Sequence, residues 1–156
     1  MPQSRMGESM RRRIALALLG LTISVGAVLA QSDPVKERED LMKQNNEHAK
    51  TVVAMMKGQR PFDAKAVDAA FAQWADTAQK LPSLFPEGSQ RGGDNRASPK
   101  IWLNKKDFDA KAAAFGKVVA ENRSKAVGSL DGLRAAIPAV GKACDNCHDE
   151  YRLAQH

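Results

Sequence analysis

Both cysteines of the chain fall in one run near its C-terminus, Cys144-Asp145-Asn146-Cys147-His148. Two thiols three residues apart on a helical turn can each add to a vinyl group of a porphyrin, and a histidine directly after them is carried to the iron as the proximal axial ligand. The run therefore reads as a covalent attachment site for one haem c. Three other chemistries use the same residue types. A thioredoxin-type redox pair normally lies near a βαβ pattern, and the sequence has no strand pattern. A structural zinc site takes four ligands, and no second Cys/His pair stands at ligand spacing. A disulfide would be strained at this separation on a helix and leaves the adjacent histidine unexplained.

The other end of the chain bears on where such chemistry would take place. Arg11-Arg12-Arg13 precede an uncharged apolar run from Ile14 to Leu29, and Val28-Leu29-Ala30 offers a small-residue cleavage site before Gln31. This is the pattern of a cleavable export signal. The apolar run is shorter than the ~20 residues of a membrane-spanning helix, which leaves an uncleaved anchor as the alternative. The expected organisation is a signal peptide over residues 1–30 and a single domain over 31–156, periplasmic and without stable membrane insertion after cleavage. Arg5, Arg11, Arg12 and Arg13 against Glu8 place half of the formal net charge of +6 in that leader. The remainder is mildly basic, with lysines and arginines scattered among acids. A nucleic-acid partner calls for a clustered basic face with interleaved aromatics, so none is expected.

Four helical stretches must position the motif. In the first, Leu41, Met42, Asn45, Ala49, Val52, Val53 and Met56 recur near a 3.6-residue period, with Asp33 as N-cap and Pro34 at the first helical position. In the second, Val67, Ala70, Phe71, Trp74, Ala78 and Leu81 mark one face, Asp63 caps the start and Pro82 stops it. Residues 82–101, with three prolines and three glycines, break the pattern and read as a long crossover loop covering something, since loops of this length are usually functional or disordered. The third helix carries Phe108, Ala112, Phe115 and Val119. The fourth carries Leu133, Ile137, Val140, Cys144, Cys147, His148 and Tyr151 on one stripe, with Pro138 predicting a bend or a late start. The expected fold is all-α, an antiparallel four-helix bundle with its cofactor site in the core.

With the motif on the last of four helices, the chain resembles the cytochrome c′ family, the class II c-type cytochromes. The resemblance covers essentially all of residues 31–156. It rests on Val35-Lys36-Glu37-Arg38, Lys57-Gly58-Gln59-Arg60-Pro61-Phe62-Asp63, Leu81-Pro82 with Phe85, Gly92-Gly93-Asp94, Pro99-Lys100-Ile101-Trp102 and the terminal motif through Arg152. It implies Cys144 and Cys147 as thioether positions and His148 as proximal iron ligand. Arg38 and Glu39 match first-helix positions beside the haem and its propionates. Glu39 departs from the glutamine common there, and a carboxylate would repel a propionate. Asp94 matches a loop residue at the haem edge, and Arg152 a basic residue near the proximal histidine.

Met42, four residues after Arg38 on the same helix face, matches the position facing the distal side of the iron. Low-spin members of the family place a methionine there as sixth ligand, whereas five-coordinate members have a non-ligating residue. The resemblance thus implies a carrier of single electrons between redox-partner proteins, not an enzyme. The alternative within the fold is a five-coordinate protein binding NO or CO at an open apolar site enclosed by Met42, Val53 and Phe85. A thiol–disulfide oxidoreductase using the two cysteines is the rival from the enzyme class. The family also suggests a homodimer through the first two helices, with Val52 and Met55 as candidate exposed apolar positions.

Overall fold

The computed structural model describes residues 33–92 and 95–154. The expected leader and Asp94 lie outside the described residues. Helix α1 spans Pro34–Met56, and the Asp33 carboxylate accepts hydrogen bonds from the backbone N–H of Val35 at 2.9 Å and Lys36 at 3.4 Å. Pro34 at its start loses nothing, because the first N–H groups of a helix have no partner within it. The helix ends where Gly58 adopts a positive φ of 70° and donates to Met55 O. Helix α2, Ala64–Lys80, is capped in the same way by Asp63, which accepts from Lys65 N at 2.9 Å and Ala66 N at 3.1 Å.

Pro82 ends α2 less abruptly than its sequence suggests. The chain tightens into a 3₁₀ turn over Leu81–Leu84 that holds Pro82 in its opening positions, where a missing N–H is harmless. After the loop, α3 is a single turn, Lys100–Leu103, followed by α4, Lys105–Gly128. Helix α5, Leu130–Tyr151, follows after one extended residue, Ser129, whose hydroxyl accepts from Gly132 N at 3.0 Å. The corner is tight: a Cβ built on Gly132 would lie 2.0 Å from Lys125 O. Pro138 neither delays nor breaks α5, which is helical through it.

Cross-helix contacts fix the arrangement. The Arg123–Asp68 ion pair at 2.7 Å and the approach of Gly116 to Ala78 run in opposite chain senses, so α2 and α4 are antiparallel. Tyr151 against Asp107 at one end and Gly132 against Lys125 at the other make α4 and α5 antiparallel. Thr77 Oγ1 donates to Asn45 Oδ1 at 2.9 Å between α2 and α1, and Arg134 of α5 donates to Met56 O at the end of α1. The contacts α1–α2, α2–α4, α4–α5 and α1–α5 close a four-helix bundle. Among the described residues there is no strand, only an isolated antiparallel bridge between Ala97 and Arg152. None of the described helices is long and apolar enough to cross a membrane.

The core divides into two clusters. One is built from helix faces, with Met55, Val67, Phe71, Trp74, Val119 and Leu133 among its buried members. The other combines Leu41 and Phe108 with Leu81, Leu84, Phe85, Ile101 and Tyr151, against which Met42, Trp102 and Cys147 pack. Val52 and Met55, read from sequence as exposed dimer positions, are 1% and 0% exposed. They belong to the buried stripe of α1, because 52, 55 and 56 all fall on its core-facing arc. Val53, taken as a wall of the distal site, points outward at 37% exposure.

Candidate haem-attachment site

The stripe that buries α5 runs through Leu133, Ala136 and Val140 and reaches the motif at its far end. Cys144 packs against the first core cluster and Cys147 against the second, so the two thiols straddle the junction between them. Both cysteines are free. Burial pushes the Cys144 thiol up to about 11, with Asp145 adding to it, and burial also raises Cys147. A disulfide-exchanging cysteine needs its thiolate stabilised, and these surroundings do the opposite. His148 is half-buried, and burial followed by the Arg152 charge lowers its pKa, which favours the neutral imidazole that binds metals. Among the described residues no group of three or more His, Cys, Asp or Glu is placed to hold a metal ion by itself, so a zinc centre has no ligand set there.

Helix register brings α1 to the motif. Arg134 of α5 reaches Met56 of α1, and the two helices are antiparallel with the same rise per residue. Met42 therefore lies toward the end of α5 that carries Cys147 and His148. Met42 and Cys147 both pack on the second cluster.

Arg38, one turn before Met42, is buried at 4% exposure. Its guanidinium donates to Leu84 O at 3.0 Å, Ser89 Oγ at 3.2 Å, Ser89 O at 2.6 Å and Asn95 Oδ1 at 3.1 Å. It also lies 4.7 Å from the Phe85 ring centroid and 5.7 Å from that of Trp102. Nε of Arg38 and Oε1 of Glu39 are buried with no hydrogen-bond partner among the described residues. The crossover loop is thereby pinned on α1 by one side chain. Its other margin is sewn to the residues after His148: Ser98 N donates to Tyr151 O at 2.9 Å, Leu153 N to Arg96 O at 2.8 Å, and the Arg96 guanidinium to Leu153 O. Arg152 is an exposed residue at the end of α5, close enough to His148 to bear on its charge state.

Sequence reasoning missed Ser89, Asn95 and Asp107. Tyr151 donates to Asp107 Oδ2 at 2.7 Å, and Lys111 pairs with Glu150 at 3.4 Å, which fastens α4 to the motif's helix. Nothing in the sequence marks Ser89 or Asn95, because their partner lies far away in the chain. Asp107 stands one residue before a predicted core aromatic, where an acid reads as solvated surface.

The comparisons with known proteins agree with this geometry. A family model described as Cytochrome C′ matches residues 33–152. A cytochrome c-556 from Rhodopseudomonas palustris is 38% identical over 144 residues, covering 90% of this chain and 96% of the relative. A cytochrome c′ from the same organism is 39% identical over 146 residues, covering 92% and 97%. The solved structure of cytochrome c′ from Rhodopseudomonas palustris superposes with a TM-score of 0.75 at 36% identity, covering 81% of this chain and all of that one. Fold and relatives together define a c-type cytochrome built on a four-helix bundle. Within that class the chain belongs to the cytochrome c′ family, and its cofactor is one covalently bound haem c. The residues present fit that group: two free thiols, a neutral imidazole and a thioether among apolar walls, with an unpartnered donor and acceptor on the adjoining turn of α1.

Proposed function

We propose that the protein is a periplasmic carrier of single electrons, holding its haem c through Cys144 and Cys147 with His148 and Met42 as axial ligands. One observation supports the reading: Met42 of α1 and Cys147 of α5 pack on the same apolar cluster. Haem c, when bound, supplies a one-electron ferric/ferrous couple. The chain's own residues do the rest. Burial keeps the His148 imidazole neutral and available to a metal. Leu41, Phe85 and Phe108 form an apolar wall that limits water access, which is one control on a redox potential. The Met42 thioether, were it to bind the haem iron, would raise the potential and hold the same ligands in both oxidation states, which suits transfer without bond making. No residue is assigned a catalytic step.

Residues 1–30 are the export signal in this reading, removed before Gln31, and residues 31–156 are the haem domain. Redox-partner proteins exchange the electron. If the chain forms a homodimer through α1 and α2, Val53 is the outward apolar residue of α1 available for it.

A second reading has one observation in its favour. The side chains around Met42 in the second cluster are apolar, so without methionine ligation the site would take small uncharged diatomics such as NO or CO and would not favour O₂. Absorption and EPR spectra of the purified protein beside Met42→Ala separate the two. Methionine ligation predicts a low-spin wild type and a high-spin variant that binds CO. A high-spin wild type that binds CO as readily as the variant rejects it. The intact mass of the same sample, read against one haem added to residues 31–156, checks attachment and cleavage together.

A further inference from the structure

The charge of Glu39 bears on Arg38 beside it, but its carboxylate is not fully paired. Its Oε1 is buried, yet no donor reaches it among the described residues, and a buried acceptor left unpaired bears its full desolvation cost. Two of the neighbouring cations are engaged elsewhere. Lys36 is paired with Asp40 on the surface, and the bonded nitrogens of Arg38 all point to the crossover loop. The direction of Glu39 follows from the helix. Glu37, Asp40 and Gln44 line a shallow groove with Asp76 and Lys80, so that edge of α1 faces α2. At 100° per residue Glu39 is turned away from it, onto the side that carries Met42. Glu39 stands three residues before Met42, whose side chain shares a cluster with Cys147.

We propose that Glu39 is a potential-setting residue, a fixed negative charge on the α5-facing edge of α1 that favours the ferric over the ferrous state. The inference rests on haem attachment at Cys144 and Cys147 with His148 as ligand, as proposed above. Reduction adds one electron to the iron centre, and a nearby half-buried carboxylate opposes it more strongly than a fully exposed one does. No proton and no bond change is involved: each electron from a dissolved one-electron reductant converts one ferric haem to one ferrous haem.

The test is a spectroelectrochemical titration, at fixed pH and ionic strength, of holoprotein as wild type, Glu39→Gln and Glu47→Gln. Glu47 lies two turns on in the same helix, 61% exposed and paired with Lys50. Poised at the wild-type midpoint, Glu39→Gln should raise the ferrous-to-ferric ratio from one to about ten, which is about 59 mV for a one-electron couple. Glu47→Gln should leave it near one. An unchanged or lowered midpoint in Glu39→Gln, or an equal rise in both variants, overturns the proposal while leaving the electron-carrier reading intact. A wild type with no covalent haem on a denaturing gel would instead strike at that reading itself.

Discussion

At one end of the bundle, Phe71 and Trp74 of α2 meet at 5.0 Å between ring centroids among small residues such as Ala70, Ala126 and Ala136, all 0% exposed. At the other end, Phe85, Trp102, Phe108 and Tyr151 touch edge to face in a chain that draws on the loop, on α3 and on both of the last two helices. The buried members of the first region are apolar and all lie on helices. The second holds a buried guanidinium, two unpartnered polar atoms and the half-buried groups Met42, Cys147 and His148. Packing that needs nothing further and packing that is complementary to a cofactor are drawn to opposite ends of one set of helices and meet at Cys144, which packs on the first cluster. Away from that junction, the bundle can be stabilised at one end without constraining the chemistry at the other.

The sharpest way to break that division is a matched pair. Phe71→Ala and Phe108→Ala each remove a ring that is at most 2% exposed, and each should cost about 3–5 kcal/mol in chemical denaturation of the holoprotein. Only Phe108→Ala should also shift the haem absorption bands. Equal spectral shifts in both variants would dissolve the distinction.

A smaller effect belongs to the site end alone. Burial and the hydrogen bond to Asp107 raise the pKa of Tyr151, so its protonated form is favoured by folding. That stabilisation is fully present below the unfolded tyrosine pKa, about 10, and is lost as pH rises through the folded value. Tyr151→Phe should cost about 1 kcal/mol at neutral pH and flatten the alkaline fall in stability followed by far-UV circular dichroism. At the bottom of the scale is the Arg123–Asp68 pair on the surface. Arg123 lowers the Asp68 pKa, so whatever the pair contributes is present above the usual carboxylate range and lost as pH falls through it. Solvent screens a pair of this kind, and Asp68→Asn should leave the melting temperature at neutral pH unmoved.

The helices were legible because their signals are local. Asp33 and Asp63 were read as caps, and both accept from the N–H groups that capping requires. The periodic stripes of α2 and α5 were legible for the same reason. Pro82 does stop α2, which ends at Lys80 and passes into a 3₁₀ turn that tolerates the ring, whereas Pro138 lies inside one continuous helix and does not delay its start. Around the motif, Cys144, Cys147 and His148 fall within five residues and are legible as one pattern, and the resemblance points to Met42 and Arg38. That Arg38 would be buried among carbonyls and aromatic rings was not legible, because Leu84, Ser89 and Asn95 reach it only through the fold. Val52 stands on the apolar stripe of α1 that the sequence shows, and it and Met55 are buried there instead of facing a partner.

The bonds that sew the crossover loop to the end of α5 have a consequence in time. Arg96 to Leu153 and Ser98 to Tyr151 join positions more than fifty residues apart, whereas the turns of α5 close over four. Contacts of long sequence separation are slow to form, because loop-closure entropy must be met first. The motif can thus become helical while the seam around it is still open, before the loop docks and Arg38 locks it down.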